Sequence, residues 1–457
     1  MLHQTHHPAS YRDPSGFVFE HEGVLYRQVN QSYKQDFTRF MESGLYSQLL
    51  TDKKLIAHEE IPINFLKDAR WFTTLRPEII PVITYPFEWC FQQLKEAALL
   101  TLALAEKAAS FGMMLKDATP YNIQFYKGAV IFLDTLSFEI WDETKPWIAY
   151  RQFCETFLAP LALMNFLKTP LQPFLLAYPE GIPLMVAKKM LPLKSKFNLG
   201  CYLHLHLHAG YSAKKAVPEK TIAFSKNKLL HILQHLKQTI TAFTLDEKST
   251  WSEYYNEAAQ RGDYLNLKKE IISGWILSFS TIKTAFDAGA NEGVFTGLLA
   301  QNGIRTIAAD GDHFAIDTLY NKLKGTQAEL IIPIITNLGN PGPAFGANGT
   351  ERASFFSRLY SDLVLALALM HHLVLDHQFS FEMLASFFAK LGNYLLIEFV
   401  PKEDEKARLL LSRKKDTYDW YTQVQFENVF SEVFQIVKRQ EIGASGRTLY
   451  LMQQHGA

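Results

Sequence analysis

Apolar and polar positions keep two different rhythms along this chain. "FVFEHEGVLYRQV" (17–29) sets two runs of strand-forming apolar residues on either side of a Glu-Gly pair, which predicts two short strands around a tight turn. "QDFTRFMESGLYSQLLTDKKLI" then has the three-to-four spacing of a helix. "QLKEAALLTLALAEKAASFG" (Gln93–Gly112) is rich in Ala and Leu and predicts a long helix stopped by Gly112. "GAVIFLDTLSFEIW" reads as strand, and Trp147 to Leu176 as apolar helix. A polar, lysine-rich stretch, "SAKKAVPEKTIAFSKNKLLHI", precedes the helix-start signal in "TLDEKSTWSEYY". Beyond it strands and helices alternate, which argues for a parallel sheet covered on both faces. Two domains are expected, an α+β domain over 1–245 and an α/β domain over 246–457.

Composition narrows this picture little. Lys plus Arg and Asp plus Glu both number 46, so there is no global field for nucleic acid or an anionic membrane, only room for a local basic patch. The three cysteines, Cys90, Cys154 and Cys201, lie far apart, which fits a reducing cytosol and neither disulfides nor a Cys-rich zinc site. The start of the chain has no secretory pattern. The longest apolar run, "LVLALALM" (Leu363–Met370), is short of the ~20 residues of a membrane helix. A cytoplasmic protein without a membrane partner is the expectation. His204, His206 and His208 in "YLHLHLHAG" would share a face if the segment were a strand, but no carboxylate lies close by to complete a site, so no metal site is expected. His3, His6 and His7 read as a terminal tail.

The chemistry concentrates at "FDAGANEGVFTGLLAQNGIRTIAAD" (Phe286–Asp310). A strand ends at Asp287, Gly289 and Gly293 permit a tight turn, and a second strand ends at Asp310, placed to accept hydrogen bonds from ribose hydroxyls. Asn291 and Glu292 occupy the turn where a diphosphate needs bare amides. An acidic turn disfavours a diphosphate and suits a sulfonium, hence S-adenosylmethionine rather than NAD. The segment resembles motif I of the class I methyltransferases.

Counting strands then places "LIIPIIT" third, with Asn337 at its end as the adenine neighbour, and "SDLVLALAL" (Ser361–Leu369) fourth, opened by Asp362, a weaker cofactor candidate. "NPGP" (Asn340–Pro343) therefore follows strand 3, not strand 4 as the N-P-P-Y motif of amino-directed methyltransferases would require. The long 338–360 loop with Glu351, Arg352 and Arg358 is a candidate substrate lid. His371 and His372 after strand 4 are candidate general bases. The methyltransferase resemblance covers Trp251 to the end and implies a seven-stranded Rossmann-like sheet in the order 3-2-1-4-5-7-6, with the last strand antiparallel. "LKDATPYNIQF", "FLDTLSFE", "YRQFCETFLAPLALM", "ERASFFSRLYSDLVLALALMHHL" and "IEFVPKEDE" further resemble the bacterial NoeA-like family, methyltransferases named after a rhizobial nodulation protein.

In the first half, Asp117, Asn122 and Asp134 resemble the catalytic and metal-binding segment of kinase-like folds, which implies magnesium and ATP. The departures are clear: Leu115-Lys116 precede Asp117, Thr135-Leu136 follow Asp134, no glycine-rich loop is visible, and Arg27 is the nearest cation. A degenerate kinase-like binding module is therefore one reading of the N-terminal domain, and chance is the other, because Asp-Ala-Thr-Pro-Tyr-Asn is also ordinary turn chemistry. The leading expectation is an S-adenosylmethionine-dependent methyltransferase whose first domain recognises or presents an acceptor: a small molecule, glycan, protein or RNA. A non-catalytic cofactor-binding regulator and a kinase-like phosphotransferase are the alternatives. Sequence does not fix the acceptor or the oligomeric state.

Overall fold

The computed structural model describes residues 5–209, 225–245, 263–279, 281–324, 326, 329–412 and 415–456. Most of the lysine-rich stretch, the helix-start signal at 246–254, His3, and the first part of the helix expected before strand 1 lie outside the described residues. The chain divides into two compact units, Met1–Glu247 with Ala344–Arg352, and Lys248–Pro343 with Ala353–Ala457.

The N-terminal unit opens with a five-stranded antiparallel sheet. Its strands are β1 (Thr5–His6), β2 (Gly16–His21), β3 (Val24–Asn30), β4 (His58–Ile61) and β5 (Trp71–Pro77), in the order β1-β2-β3-β5-β4. The β2–β3 turn uses Glu22 and Gly23 at φ 50° and 75°, the left-handed pair that a two-residue hairpin needs. His6 belongs to β1 and its ring stacks on Phe17 at 4.0 Å, so the expected tail at His6 and His7 is ordered structure. Helix α1 (Lys34–Glu42) buries Phe37 and Phe40. Val29, Tyr33, Phe37, Leu75 and Leu136 form a core cluster.

Helix α2 (Phe91–Ser110) follows, and Gly112, at φ 73°, turns the chain out of it. Two small hairpin-like pairs come next: β6 (Met113–Leu115) with β9 (Phe138–Ile140), and β7 (Ile123–Tyr126) with β8 (Ala129–Phe132). They place the loops that carry Asp117, Asn122 and Asp134.

Tyr202–Ala209 of "YLHLHLHAG" is helical, with a wide π-type turn over Tyr202–Leu207. The buried positions from Cys201 to Ala209 are Cys201, His204, Leu205, His206 and Ala209, a set that a strand's period of two does not produce. His204 and His208, one helical turn apart, therefore both meet Tyr150, while His206 turns to a different neighbour. His204 bonds Tyr150 and His235 at 2.7 and 2.8 Å, His206 bonds Ser195 at 2.8 Å, and His208 stacks on Tyr150.

The second unit holds a seven-stranded sheet of β10 (Thr284–Ala288), β11 (Arg305–Asp310), β12 (Ile331–Ile335), β13 (Ser361–Ala366), β14 (Gly392–Phe399), β15 (Phe434–Glu441) and β16 (Thr448–Gln454). Its order, β12-β11-β10-β13-β14-β16-β15, is 3-2-1-4-5-7-6. The first five strands are parallel, while β16 runs antiparallel to both β14 and β15. The single helix between β11 and β12 is His313–Leu323. On one face, Trp275 and Ile276 of helix Tyr264–Leu277 and Phe295 and Leu299 of helix Val294–Gln301 pack with Leu363, Leu365, Leu396 and Leu451. Strands buried on both faces read as continuous apolar runs, which is why they are readable from sequence, while their order follows the one implied by the resemblance to class I methyltransferases.

Candidate functional site

In the second unit, the candidate residues gather where β10 and β11 end, the edge at which open α/β sheets hold ligands. Three of five loop residues are left-handed: Gly289 at φ 75°, Asn291 at 49° and Gly293 at 79°. A Cβ on Gly293 would lie 2.7 Å from Leu319 Cδ1, so this glycine is demanded by the neighbouring helix as well as by its φ. Asn291 N–H donates to Asp310 Oδ2 and Asp312 N–H to Asp310 Oδ1, both at 2.8 Å. These bonds fix the Asp310 carboxylate across the loop and leave each oxygen a lone pair for a hydroxyl. Burial raises the Asp310 pKa above the usual carboxylate range. Glu292 forms an ion pair with Lys322.

Asp287 is buried, and its Oδ2 accepts the Thr296 hydroxyl at 2.6 Å. Burial pushes this carboxyl up to about 6. Asn337 is exposed beyond β12, with its Oδ1 on Gly339 N–H at 2.9 Å. Asp362 requires a correction. It opens β13 and its Oδ2 accepts from Lys283 N–H, Thr284 N–H and the Thr284 hydroxyl at 2.8–3.0 Å, at the opposite edge of the sheet from the Gly289–Gly293 loop. It bridges two strand starts and is not carried forward as a cofactor residue.

His371 is buried and its ring centroid lies 4.1 Å from that of His372. Burial lowers His372 to about 4, so it is neutral at pH 7 and a weak base. The candidate lid divides between the units. Glu351 and Arg352 belong to the N-terminal unit, while Arg358 belongs to the second and donates to Ala353 O at 3.2 Å.

One cluster escaped the sequence reading. Glu398, near the end of β14, is fully buried and meets Lys268 Nζ at 2.5 Å, Tyr264 OH at 2.6 Å, Arg447 Nη1 at 3.2 Å and Ala368 N–H at 2.9 Å. Arg447 also holds Asp404. Burial opposes ionisation of Glu398, but Lys268 and Arg447 outweigh it and hold the carboxyl well below its usual range. The available signal was an acid inside the apolar run "YLLIEFV".

The N-terminal unit contains a cavity of about 910 Å³. Its wall joins aliphatic Val18, Leu25, Ile56 and Leu75 to Arg27, Lys116, Asp117, Asn122 and Asp134, so the kinase-like constellation does converge on one space. Asp117 accepts from Gln152 at 2.6 Å and Asn122 at 3.1 Å, and burial, then the charge of Asp134, raises its pKa. Asp134 Oδ1 meets Arg27 Nη1 at 2.6 Å and accepts Leu136 N–H at 2.9 Å, while Oδ2 accepts the Ser137 hydroxyl at 2.6 Å. Burial opposes ionisation of Asp134, but Arg27 and the two hydrogen bonds outweigh it, and the carboxyl sits below its ordinary value. Arg27 thus fills the cation position beside Asp134, and the donor set does not fit magnesium as it stands. Among the described residues, no group of three His, Cys, Asp or Glu side chains is arranged to hold a metal, and no helix is long and apolar enough to cross a membrane.

The strand order and the reversed last strand define the class: the second unit has the Rossmann-like fold of class I methyltransferases. No family model matches the chain. It is 29% identical over 460 residues to nodulation protein NoeA of Rhizobium meliloti (strain 1021), covering 97% of this chain and 95% of that one. The NoeA-like resemblance read from the sequence therefore runs through nearly the full length of both chains. Among solved structures, WbdD matches at 15% identity and TM-score 0.30, over 42% of this chain and 40% of WbdD. The match thus spans about two fifths of WbdD's own length. Magnesium protoporphyrin IX methyltransferase ChlM from Synechocystis PCC 6803, solved with bound SAH, matches at 13% identity and TM-score 0.32, over 46% and 90%. Likenesses at these scores carry no argument, and the fold assignment rests on the strand order.

Proposed function

We propose that the second unit binds S-adenosylmethionine over the Gly289–Gly293 loop and transfers its methyl group to an acceptor that the N-terminal unit recognises or presents. The observation that carries this reading is Asp310, held by two backbone N–H groups at the carboxyl edge of a 3-2-1-4-5-7-6 sheet. When bound, S-adenosylmethionine supplies an electrophilic methyl group on a sulfonium. Asp310 accepts the ribose hydroxyls, and Asn337 stands by the adenine. Asp287, at the end of β10, holds Thr296 of the following helix and so shapes the loop from beneath. Methyl transfer rests mainly on positioning. His372, neutral at pH 7, suits an acceptor that needs little help in losing a proton.

A second reading concerns the N-terminal cavity alone: it is a binding site for a small molecule. Arg27 stands beside Asp134 where a metal cation would sit, and no phosphotransfer step is assigned to the cavity.

Calorimetry with S-adenosylhomocysteine tests the main reading. Micromolar binding is expected, weakened about 30-fold or more in Asp310→Ala, the loss of two hydrogen bonds to a charged group. A folded wild-type protein that does not bind the ligand refutes it.

A further inference from the structure

Residues 181–209, "GIPLMVAKKMLPLKSKFNLGCYLHLHLHA", hold four lysines and no Asp or Glu, in a chain whose overall charge is balanced. They fold as Leu184–Met190, Leu193–Phe197 and a helical run from Leu199 to Leu207, and the first two pieces both pack against the third. One side is buried through Leu184, Ala187, Cys201 and Leu205. The other turns large apolar side chains outward: Phe197 is 91% exposed, Leu193 73% and Leu199 62%. Scattered exposed apolar residues are ordinary, but three within seven residues, beside partly exposed Met185, Tyr202 and Leu207, make a patch. Lys189, Lys194 and Lys196 are exposed in the same stretch, and among the described residues none of the four lysines has an ion-pair partner.

We propose that this face docks the protein onto an anionic lipid surface. Such a surface takes both halves of the patch at once. Phe197, Leu193 and Leu199 enter the boundary between headgroups and acyl chains, while the lysine stems lie along it with their ammonium groups at the phosphates. A second copy of the chain fits worse. A two-fold contact through this face brings lysines against lysines, and the centres of protein interfaces are depleted in lysine. The docking is peripheral, since no described helix is long and apolar enough to cross a membrane. Whole-chain charge hides this surface because the acids that balance it lie elsewhere in the sequence.

The test is co-sedimentation of the full chain with phosphatidylcholine vesicles, with and without phosphatidylglycerol, at low and high salt. Binding to the anionic vesicles is expected, weakened by salt, with little binding to the neutral ones. Lys194→Gln/Lys196→Gln lowers the partition coefficient about tenfold. Leu193→Ser/Phe197→Ser lowers it about tenfold or more, with the melting temperature unchanged because these side chains are exposed. Wild-type protein left in the supernatant with anionic vesicles overturns the proposal, as does binding that neither pair of substitutions weakens. A dimer dispersed by Leu193→Ser/Phe197→Ser, without vesicle binding, also overturns it and gives the face to a second copy.

Discussion

Asp287 combines two demands at one residue. Its carboxyl accepts the Thr296 hydroxyl, which steadies the turn below Gly289–Gly293, yet it does so in a buried site that resists charge. The ordinary value is about 3.9, and burial pushes it up to about 6. Below both values the folded and unfolded chains are equally protonated and the site costs nothing. As pH rises through this window the unfolded chain ionises more readily, so stability is lost, by up to about 3 kcal/mol above it. Asp287→Asn is therefore expected to raise the melting temperature at pH 8 and to change it little at pH 4. Thermal melts at both values check this; an equal shift at the two would refute the burial account. The turn itself was legible from Gly289 and Gly293. The left-handed Asn291 and the Leu319 side chain packed against Gly293 were not, because the one bonds Asp310 at the end of the next strand and the other sits on the helix after it.

Among elements, the strands of the second unit were readable because each is an apolar run bounded by turn residues. Hydrophobic spacing misleads where polar residues are buried. His204 and His206 are buried, so the alternating Leu and His of 203–208 imitate a strand while the buried set follows a helix. Glu398 poses the same difficulty. Its partners Lys268 and Arg447 come from the helix before β10 and from the turn before β16, which sequence cannot bring together. Two cations share this carboxylate in a dry site. Glu398→Ala leaves them buried without it and is expected to cost about 3–5 kcal/mol. Urea unfolding followed by tryptophan fluorescence measures this; a loss under about 1 kcal/mol would show that water replaces the carboxylate.

At the scale of the whole molecule, a single boundary near residue 245 describes only part of the division, because Ala344–Arg352 joins the N-terminal unit. Little in the sequence hinted at this: Phe345 lies in the glycine- and proline-rich stretch of the candidate lid, where no hydrophobic period marks a packed segment. In the structure its ring lies 5.6 Å from Tyr85, 5.7 Å from Phe87 and 6.4 Å from Tyr121. Phe345 N–H and C=O pair with Arg352, Arg352 covers the Tyr121 ring at 4.4 Å, and Glu351 holds Arg12 at 3.2 Å. The segment is therefore a wall of the N-terminal cavity and also a constituent of that unit's aromatic packing. Phe345 is only half-buried, so Phe345→Ala is expected to cost about 2 kcal/mol, less than truncating a fully buried ring. The location of the loss is the more telling result. Hydrogen exchange in the intact chain is expected to rise around 84–90 and 120–126, where Tyr85, Phe87 and Tyr121 sit, while Thr284–Ala288 and Ser361–Ala366 keep their protection. Exchange that rises instead in those two strands would return residues 344–352 to the unit that contains them in sequence.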